Sequence, residues 1–351
     1  MKIFYLSFQL STFNFPFILL TLSLSSDRQA FSFQSYSFSF AKICNHRLYE
    51  LHESGSQALL YPFSFFLSTL SLSADRQAFS FSPFSIFFIS LTGEILLMKL
   101  TFLGTGTSQG VPVVACGCEV CLSVDTHDKR LRTSVLIEAG ETIFTIDAGP
   151  DFRQQMLREK VKRLDAIFVT HGHKDHVGGM DDIRSFNFLQ RKPMTVFADD
   201  LAADSIKKEF FYAFEDDKYP GVPDFDLRLI IGEDILFKGI KVIPIPVKHM
   251  NMPVKGFRIG DLTYITDANY ISQESYDKIY GSKILIINAL RKRKHISHFN
   301  LEEALEVIEK VKPDTAYLTH ISHLMGKHEE VSKELPKNVH FAYDGLKIDF
   351  S

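Results

Sequence analysis

The sequence predicts an α/β protein in which two mixed β-sheets pack together and helices cover their outer faces. Three observations lead to this fold class. Apolar runs of strand length recur along residues 98–351, and helical segments with one apolar face lie between some of them. Hairpins are mixed with α/β crossovers, which argues against a purely parallel sheet. Metal-type side chains follow several of the apolar runs, as a site at one sheet edge requires.

The first half of this segment alternates strands with helices. Its predicted elements are, in chain order, a strand in "KLTFLG", a Gly-rich loop in "GTGTSQG", a hairpin in "TSVLIEAGETIFTIDAG", a short helix in "FRQQMLREKV", a strand in "LDAIFVT", a strand in "MTVFAD" and a helix in "DLAADSIKKEFFYAF". Residues 139–141, Ala-Gly-Glu, supply the hairpin turn. "LDAIFVT" is almost continuously apolar, as expected of a strand covered on both faces.

The second half is richer in strands. Its predicted elements are a strand series with Gly-containing turns in "LRLIIGEDILFKGIKVIPIPVKHM", a hairpin in "FRIGDLTYITDANY", a buried strand in "KILIINAL", and an amphipathic helix, a Pro-Asp break and a strand in "NLEEALEVIEKVKPDTAYLTH". Hairpins and crossovers within one segment are typical of mixed sheets.

Residues 1–97 differ from the rest in composition. They hold 17 of the 33 Phe but only 5 of the 39 Lys and Arg, and "TLSLSSDRQAFSF" at 21–33 returns as "TLSLSADRQAFSF" at 69–81. Two copies are too few for a solenoid, which needs at least three repeats to bury a core. We therefore expect residues 1–97 to be a Ser/Phe-rich extension without function and 98–351 to be the working domain.

Three interpretations of the extension are open. A Lys followed by an apolar run at its start is compatible with a secretory signal peptide. A membrane helix is disfavoured, because no apolar run reaches about 20 uninterrupted residues. The third, which the near-identical repeat favours, is translation from a start upstream of the true initiator Met98.

Charge and cysteine usage narrow the class of protein. The 351 residues carry a formal net charge of −3, so no basic field attracts nucleic acid. Four Cys are too few for a disulfide scaffold in a chain of this size. Three of them cluster at Cys116, Cys118 and Cys121, which is typical of metal binding in a reducing compartment. We therefore expect a cytoplasmic protein.

A second cluster lies in "THGHKDHVGGMDD", residues 170–182. Imidazole and carboxylate groups bind metals, and an ordinary polar loop seldom carries three His within six residues. Further metal-type residues follow apolar runs elsewhere in the chain. The candidate ligands of this kind are His171, His173, Asp175, His176, His249, Asp267 and His320.

The motif "HGHKDH" resembles the H-x-H-x-D-H signature of the metallo-β-lactamase superfamily, and the resemblance covers all of 98–351. It implies an αβ/βα sandwich with a dinuclear site of Zn²⁺ or Mn²⁺ at its edge. Carried over residue by residue, it assigns His171, His173 and His249 to one metal, Asp175, His176 and His320 to the second, and Asp267 to both. Asp147 would support these ligands through hydrogen bonds, although a turn residue explains it almost as well.

The cysteine cluster indicates which branch of the superfamily the sequence resembles. "CGCEVC" supplies three thiolates, and tetrahedral zinc needs a fourth ligand, for which His323 is the candidate. This pattern resembles the structural zinc site of the phosphoribosyl cyclic-phosphate phosphodiesterases of the carbon–phosphorus lyase pathway. Three free thiols are the alternative.

His298 in "HISHFNLEEAL" has a counterpart in phosphodiesterase and transfer-RNA-processing members, where a His in this region contacts the scissile phosphate and protonates the leaving oxygen. An imidazole suits that role because its pKa lies near 6.5. A helix-start residue is the alternative, and His295 is a weaker candidate for the same role. The catalytic set implied by the resemblance is thus His298, Asp175 and Asp267.

The resemblance implies a hydrolase that cleaves a small or cyclic phosphodiester through a metal-bridging hydroxide. RNA 3′-end processing is a rival, but the segment between His176 and His249 has no basic arm and contains the acidic "FEDDKYPGVPDFD". A non-catalytic metal-stabilised scaffold is a second rival. The basic run 291–294 is either a solvated loop or a phosphate contact. We expect a small-molecule substrate, no nucleic acid and no membrane, and leave a homodimer open.

Overall fold

The computed structural model describes residues 96–351 and, before them, four short strand segments. Of these, Leu10–Thr12 pairs with Ile18–Leu20 and Ser64–Phe65 pairs with Ile89–Ser90, both antiparallel. The chain divides into two units, residues 1–94 and 95–351. Both copies of the repeat, 21–33 and 69–81, lie outside the described residues, and the signal-peptide and start-site interpretations stay predictions.

The second unit contains fifteen strands and seven α-helices in its described residues. The strands are β1 (Met98–Gly104), β2 (Ser134–Ala139), β3 (Thr142–Ile146), β4 (Ala166–Phe168), β5 (Met194–Ala198), β6 (Phe225–Leu229), β7 (Ile235–Phe237), β8 (Ile240–His249), β9 (Met252–Ile259), β10 (Leu262–Ile265), β11 (Tyr270–Ile271), β12 (Ile284–Asn288), β13 (Thr315–Thr319), β14 (Val339–Phe341) and β15 (Lys347–Phe350). The helices are α1 (Phe152–Arg158), α2 (Lys174–Val177), α3 (Arg184–Gln190), α4 (Asp200–Glu209), α5 (Gln273–Ile279), α6 (Leu301–Val311) and α7 (His328–Ser332).

The strands form two mixed sheets of similar design. The first has the order β6-β5-β4-β3-β2-β1-β15, and the second has the order β7-β8-β9-β10-β12-β13-β14, with β11 beside β8. In the first sheet the pairs from β3 to β6 are parallel and the others antiparallel. In the second the pairs from β10 to β14 are parallel and those from β7 to β10 antiparallel.

Apolar side chains from both sheets meet in a central core that includes Phe102, Phe168 and Phe257. The outer face of the first sheet packs on α1 and α4, and that of the second on α5 and α6. Two sheets between two helical layers are an αβ/βα sandwich, so the predicted fold class is confirmed.

Two predicted elements differ locally from the structure. The helix predicted over 200–214 ends at Glu209, and the remaining aromatic residues form a 3-10 turn, Phe211–Ala213. The strand series predicted over 227–250 is divided between the sheets, because β6 pairs with β5 whereas β7 and β8 lie in the second sheet. No helix of the described residues combines the length and apolar character that crossing a bilayer requires.

Candidate metal centres

Three site residues end buried strands in an unusual backbone conformation. Asp147, Asp267 and His320 follow β3, β10 and β13, with φ of 66°, 56° and 55°. A residue with a Cβ adopts the left-handed region at an energetic cost, and such strain concentrates at functional sites. Here the left-handed turn accompanies the exit of the chain from each strand at the shared edge.

The seven predicted ligands converge at this edge of the sandwich. Their ligand atoms fall into groups whose members lie within 4.8 Å of one another: Asp175, His176, Asp267 and His320 in one, His171, His173 and Asp267 in another, and His249, Asp267 and His298 in a third. Asp267 belongs to all three groups. One carboxylate is therefore positioned to touch two neighbouring cations.

The distances within the cluster match shared coordination. His171 Nε2 and His173 Nδ1 are 3.0 Å apart, and His176 Nε2 lies 3.3 Å from Asp175 Oδ2 and 3.2 Å from Asp267 Oδ2. Two His nitrogens on one tetrahedral zinc would be about 3.3 Å apart.

Unpartnered buried atoms also point to a cation. Both ring nitrogens of His320 and Nε2 of His298 are buried without a hydrogen-bond partner among the described residues. His320 Nδ1 approaches Asp267 Oδ1 to 2.8 Å, but without hydrogen-bond geometry. A buried polar group without a partner is costly, so a ring nitrogen of His320 fits a divalent ion as its missing partner.

The electrostatics of the cluster agree with this. Burial opposes charge on Asp267, but His320 and His176 outweigh it and hold the pKa of Asp267 well below its usual value. Burial likewise opposes charge on His176, yet Asp267, Asp175 and Asp147 raise its pKa well above the ordinary value. A proton on His176 thus supplies the positive charge that a bound cation would supply instead.

Hydrogen bonds behind the ligands set their orientation. Asp147 is fully buried; its Oδ2 lies 2.6 Å from His176 Nδ1, and its Oδ1 accepts from the Thr170 backbone at 2.8 Å. His249 Nδ1 lies 2.7 Å from the Ser297 carbonyl, so it donates there and leaves Nε2 as the free lone pair. The prediction that Asp147 supports the ligand loop through hydrogen bonds agrees with these contacts.

Tight backbone packing brings the ligand helix to the strand ends. A Cβ on Gly149 would overlap the carbonyl oxygen of Asp175. Gly149 follows β3 and Asp175 lies in α2, so this contact seats the "HGHKDH" segment against the loop that carries Asp147.

Supporting residues that the sequence analysis missed share a visible signal. Thr170, Thr266 and Thr319 each precede a predicted ligand at a strand end and are fully buried. Asn288, the last residue of β12, bonds both backbone groups of Ala268 at 2.8 and 3.0 Å and so fixes the Asp267 turn. Asn288 follows the same strand-end rule, but an amide is not a metal-type side chain.

His298 lies within the cluster rather than at a helix start on the surface. Its Nε2 is 3.5 Å from Asp267 Oδ2, and its ring stacks on His320 with centroids 5.0 Å apart. Burial lowers its pKa, with Asp267 acting in the opposite direction. The basic run 291–294 lies at the surface, where Lys292 pairs with Glu334 at 2.7 Å.

The cysteine cluster forms a separate group. His323 Nδ1 lies 3.3 Å from the sulfur of Cys116, 3.3 Å from that of Cys118 and 3.6 Å from that of Cys121. Sulfur and nitrogen on one tetrahedral zinc would be about 3.6 Å apart. A hydrogen bond from the Cys121 backbone and contact with His323 lower the pKa of Cys118 to about 6, whereas burial raises that of Cys121 to about 11. Three thiols and one imidazole at these distances fit zinc.

Comparisons with known proteins agree with the fold. A family model described as a beta-lactamase superfamily domain matches residues 142–321. A solved structure described as a new diphosphatase from the PhnP family is 38% identical, with a TM-score of 0.68 over 72% of this chain and 98% of that one.

Two curated relatives match over shorter shares of their own length. An octanoyltransferase of Porphyromonas gingivalis is 40% identical over 255 residues, which are 71% of this chain and 51% of that protein. A ribonuclease Z of Archaeoglobus fulgidus is 28% identical over 161 residues, 44% of this chain and 45% of that protein. The chain thus spans about half the length of these curated relatives.

Proposed function

Because the chain belongs to the beta-lactamase superfamily and is a PhnP-like member of it, we propose that residues 98–351 are a dinuclear metal-dependent hydrolase acting on a small phosphodiester. One observation carries this proposal: the carboxylate of Asp267 lies within ligand distance of both halves of the histidine cluster. A single-ion site would not need a shared carboxylate.

His171, His173 and His249 would hold one ion, Asp175, His176 and His320 the other, and Asp267 both. Two ions so held would lower the pKa of a bound water and would stabilise the attacking and leaving oxygens of a phosphoryl group. We also infer that Cys116, Cys118, Cys121 and His323 hold a structural Zn²⁺. Imidazole and carboxylate ligands admit both Zn²⁺ and Mn²⁺ at the paired site.

His298 is the proposed general acid. Its buried Nε2 lies 3.5 Å from the shared carboxylate and has no hydrogen-bond partner among the described residues. A leaving oxygen held beside Asp267 would be within reach of that nitrogen. Proton transfer from a positioned group contributes about 10²–10⁴-fold to a rate.

A diphosphate is the second candidate substrate. The relative that this chain covers almost completely is described as a diphosphatase. A phosphoanhydride and a phosphodiester both offer a phosphorus atom with a leaving oxygen, so the same residues serve either. The octanoyltransferase name belongs to a protein of which this chain spans about half, and acyl transfer is not part of the proposal.

RNA 3′-end processing stays as the rival, supported by the ribonuclease Z relative over 44% of this chain. The deciding experiment assays the full chain, reconstituted with Zn²⁺ or Mn²⁺, on an alkyl phosphodiester, a cyclic nucleotide, a nucleoside diphosphate and precursor transfer RNA. We expect turnover of a small substrate and none of the RNA. Turnover of the RNA alone would favour the rival, and full metal loading without any turnover would favour a binding scaffold.

A further inference from the structure

The side of His298 that faces away from the metal ligands is held by two neighbours in the loop before α6. Ser297 Oγ lies 2.9 Å from His298 Nδ1 and 3.1 Å from His295 Nδ1. The two Nδ1 atoms are 3.2 Å apart. Three polar atoms therefore form a compact triangle behind the ring, while Nε2 faces Asp267.

This arrangement favours one nitrogen of His298 as the site of its proton. A neutral imidazole carries one N–H, and its other nitrogen is then a lone pair. The backbone N–H of Ser297 donates to His295 Nδ1 at 3.4 Å, so this nitrogen of His295 is an acceptor. The Ser297 hydroxyl can then donate to His295 and accept from His298, which leaves Nδ1–H on His298.

Three hydrogen bonds that involve neither the Ser297 hydroxyl nor the His295 ring also hold the loop backbone. The carbonyl of Ile296 accepts from Asn269 Nδ2 at 3.0 Å, that of Ser297 accepts from His249 Nδ1 at 2.7 Å, and Phe299 N–H donates to Ala268 at 2.8 Å. We therefore expect the loop to keep its position when the Ser297 hydroxyl or the His295 ring is removed.

We propose that Ser297 and His295 are positioning residues that keep a proton on Nδ1 of His298, so that Nε2 is the atom that gives its proton to the leaving oxygen. The inference rests on the proposed function. In the step, the N–H bond at Nε2 breaks, an O–H bond forms on the leaving group, and the neutral ring left behind is the Nδ1–H tautomer. His298 would thus return to one defined state after each turnover.

The first test measures the tautomer directly. Zn²⁺-loaded full chain labelled with ¹⁵N-histidine is compared with Ser297→Ala and Ser297→Thr by long-range ¹H–¹⁵N NMR, with His298 assigned from the signals lost in His298→Asn. The wild type and the Thr variant should show neutral His298 protonated on Nδ1, and the Ala variant should not. A wild-type His298 protonated on Nε2 would overturn the proposal whether or not the protein hydrolyses anything.

The second test measures turnover. Ser297→Ala and His295→Phe should lower kcat on an alkyl phosphodiester about tenfold or more, short of the ~10²–10⁴-fold expected for loss of the acid itself. KM, metal content and hydrolysis of a nitrophenyl diester should change little. Ser297→Thr and His295→Asn, which keep the polar atoms, should restore the rate. Equal losses on both substrates would mean that the pair only supports the loop, and absence of turnover in the wild type would count against the proposed function alone.

Discussion

Asp267 shows how one residue serves several neighbours at once. Its two oxygens lie 2.8 Å from His320 and 3.2 Å from His176, and His298 reaches it at 3.5 Å. Burying a carboxylate among imidazoles is unfavourable unless positive charge accompanies it. The position of Asp267 is therefore favourable when positively charged metal ions lie beside it.

Replacement of Asp267 by Ala should strip the paired ions. The carboxylate offsets the repulsion between two close cations, so its loss should take both ions and the turnover with them. Metal content measured by mass spectrometry should fall by about two per chain, the number of a two-metal site. The matched control is Asp261→Ala, because Asp261 lies just before the same strand and pairs with Lys283. This variant should bind metal normally. Full metal content in Asp267→Ala would contradict the shared-ligand assignment.

Replacement of His298 by Ala should lower the rate of hydrolysis without loss of the metal ions. We expect both ions and the fold to persist while alkyl phosphodiester hydrolysis falls ~10²–10⁴-fold. Nitrophenyl substrates should lose much less, because nitrophenolate leaves without a proton. His340→Ala, at an exposed position of β14, is the control. Equal losses on the two substrates would mean that His298 only binds phosphate, and the acid would then be sought at His295.

At the scale of elements, two loops that are distant in sequence meet at the cysteine cluster. One follows β1 and carries Cys116, Cys118 and Cys121, and the other follows β13 and carries His323. Only a small apolar group around Val111 and Val120 accompanies them. A bound ion would add a link between these loops to the backbone hydrogen bonds of Ile321 with Thr105 and Thr107. His323 lies three residues beyond the paired-site ligand His320.

Replacement of Cys118 by Ala should remove one zinc per chain and lower thermal stability. For a domain of this size about 1 kcal/mol shifts the unfolding midpoint by about 2–4 °C, so a shift of at least that size is expected. The measurement pairs zinc analysis with thermal unfolding. Cys44→Ala, a cysteine outside the cluster, should change neither quantity. An unaltered zinc content in Cys118→Ala would rule out the structural site.

At the scale of the whole molecule, residues 95–351 form a unit whose first strand begins at Met98. Met98 is buried in the central core and pairs with Phe350 of β15, which lies near the C-terminal end of the sequence. All described residues of the apolar core of the two sheets lie within 98–351.

A protein that starts at Met98 should therefore fold, bind metal and turn over substrate like the full chain. Its unfolding midpoint, metal content and kcat/KM are the quantities to compare. The matched control starts at Thr101, which removes the first three residues of β1 and should destabilise the sheet. Failure of the Met98 protein to fold would show that the extension has a structural role.

The sequence by itself determined the strand-end placement of the ligands. A metal-type residue after a buried apolar run is a local pattern, and it marks His171, His249, Asp267 and His320. The motif "HGHKDH" adds His173, Asp175 and His176, so all seven ligands are predicted from the sequence. The amphipathic helix at 301–311 and its capping Asn300 are equally local, since Asn300 accepts from Glu303 one turn away.

Only the tertiary structure decided how these positions combine. The division of the strand series 227–250 between two sheets, and the pairing of β15 with β1, depend on contacts between residues far apart in sequence. The triangle of His295, Ser297 and His298 depends on a loop pinned by Asn269 and His249. A sequence pattern carries the type of each side chain but not the direction of its hydrogen bonds, because that direction is set by which partners the folded chain brings within about 3 Å.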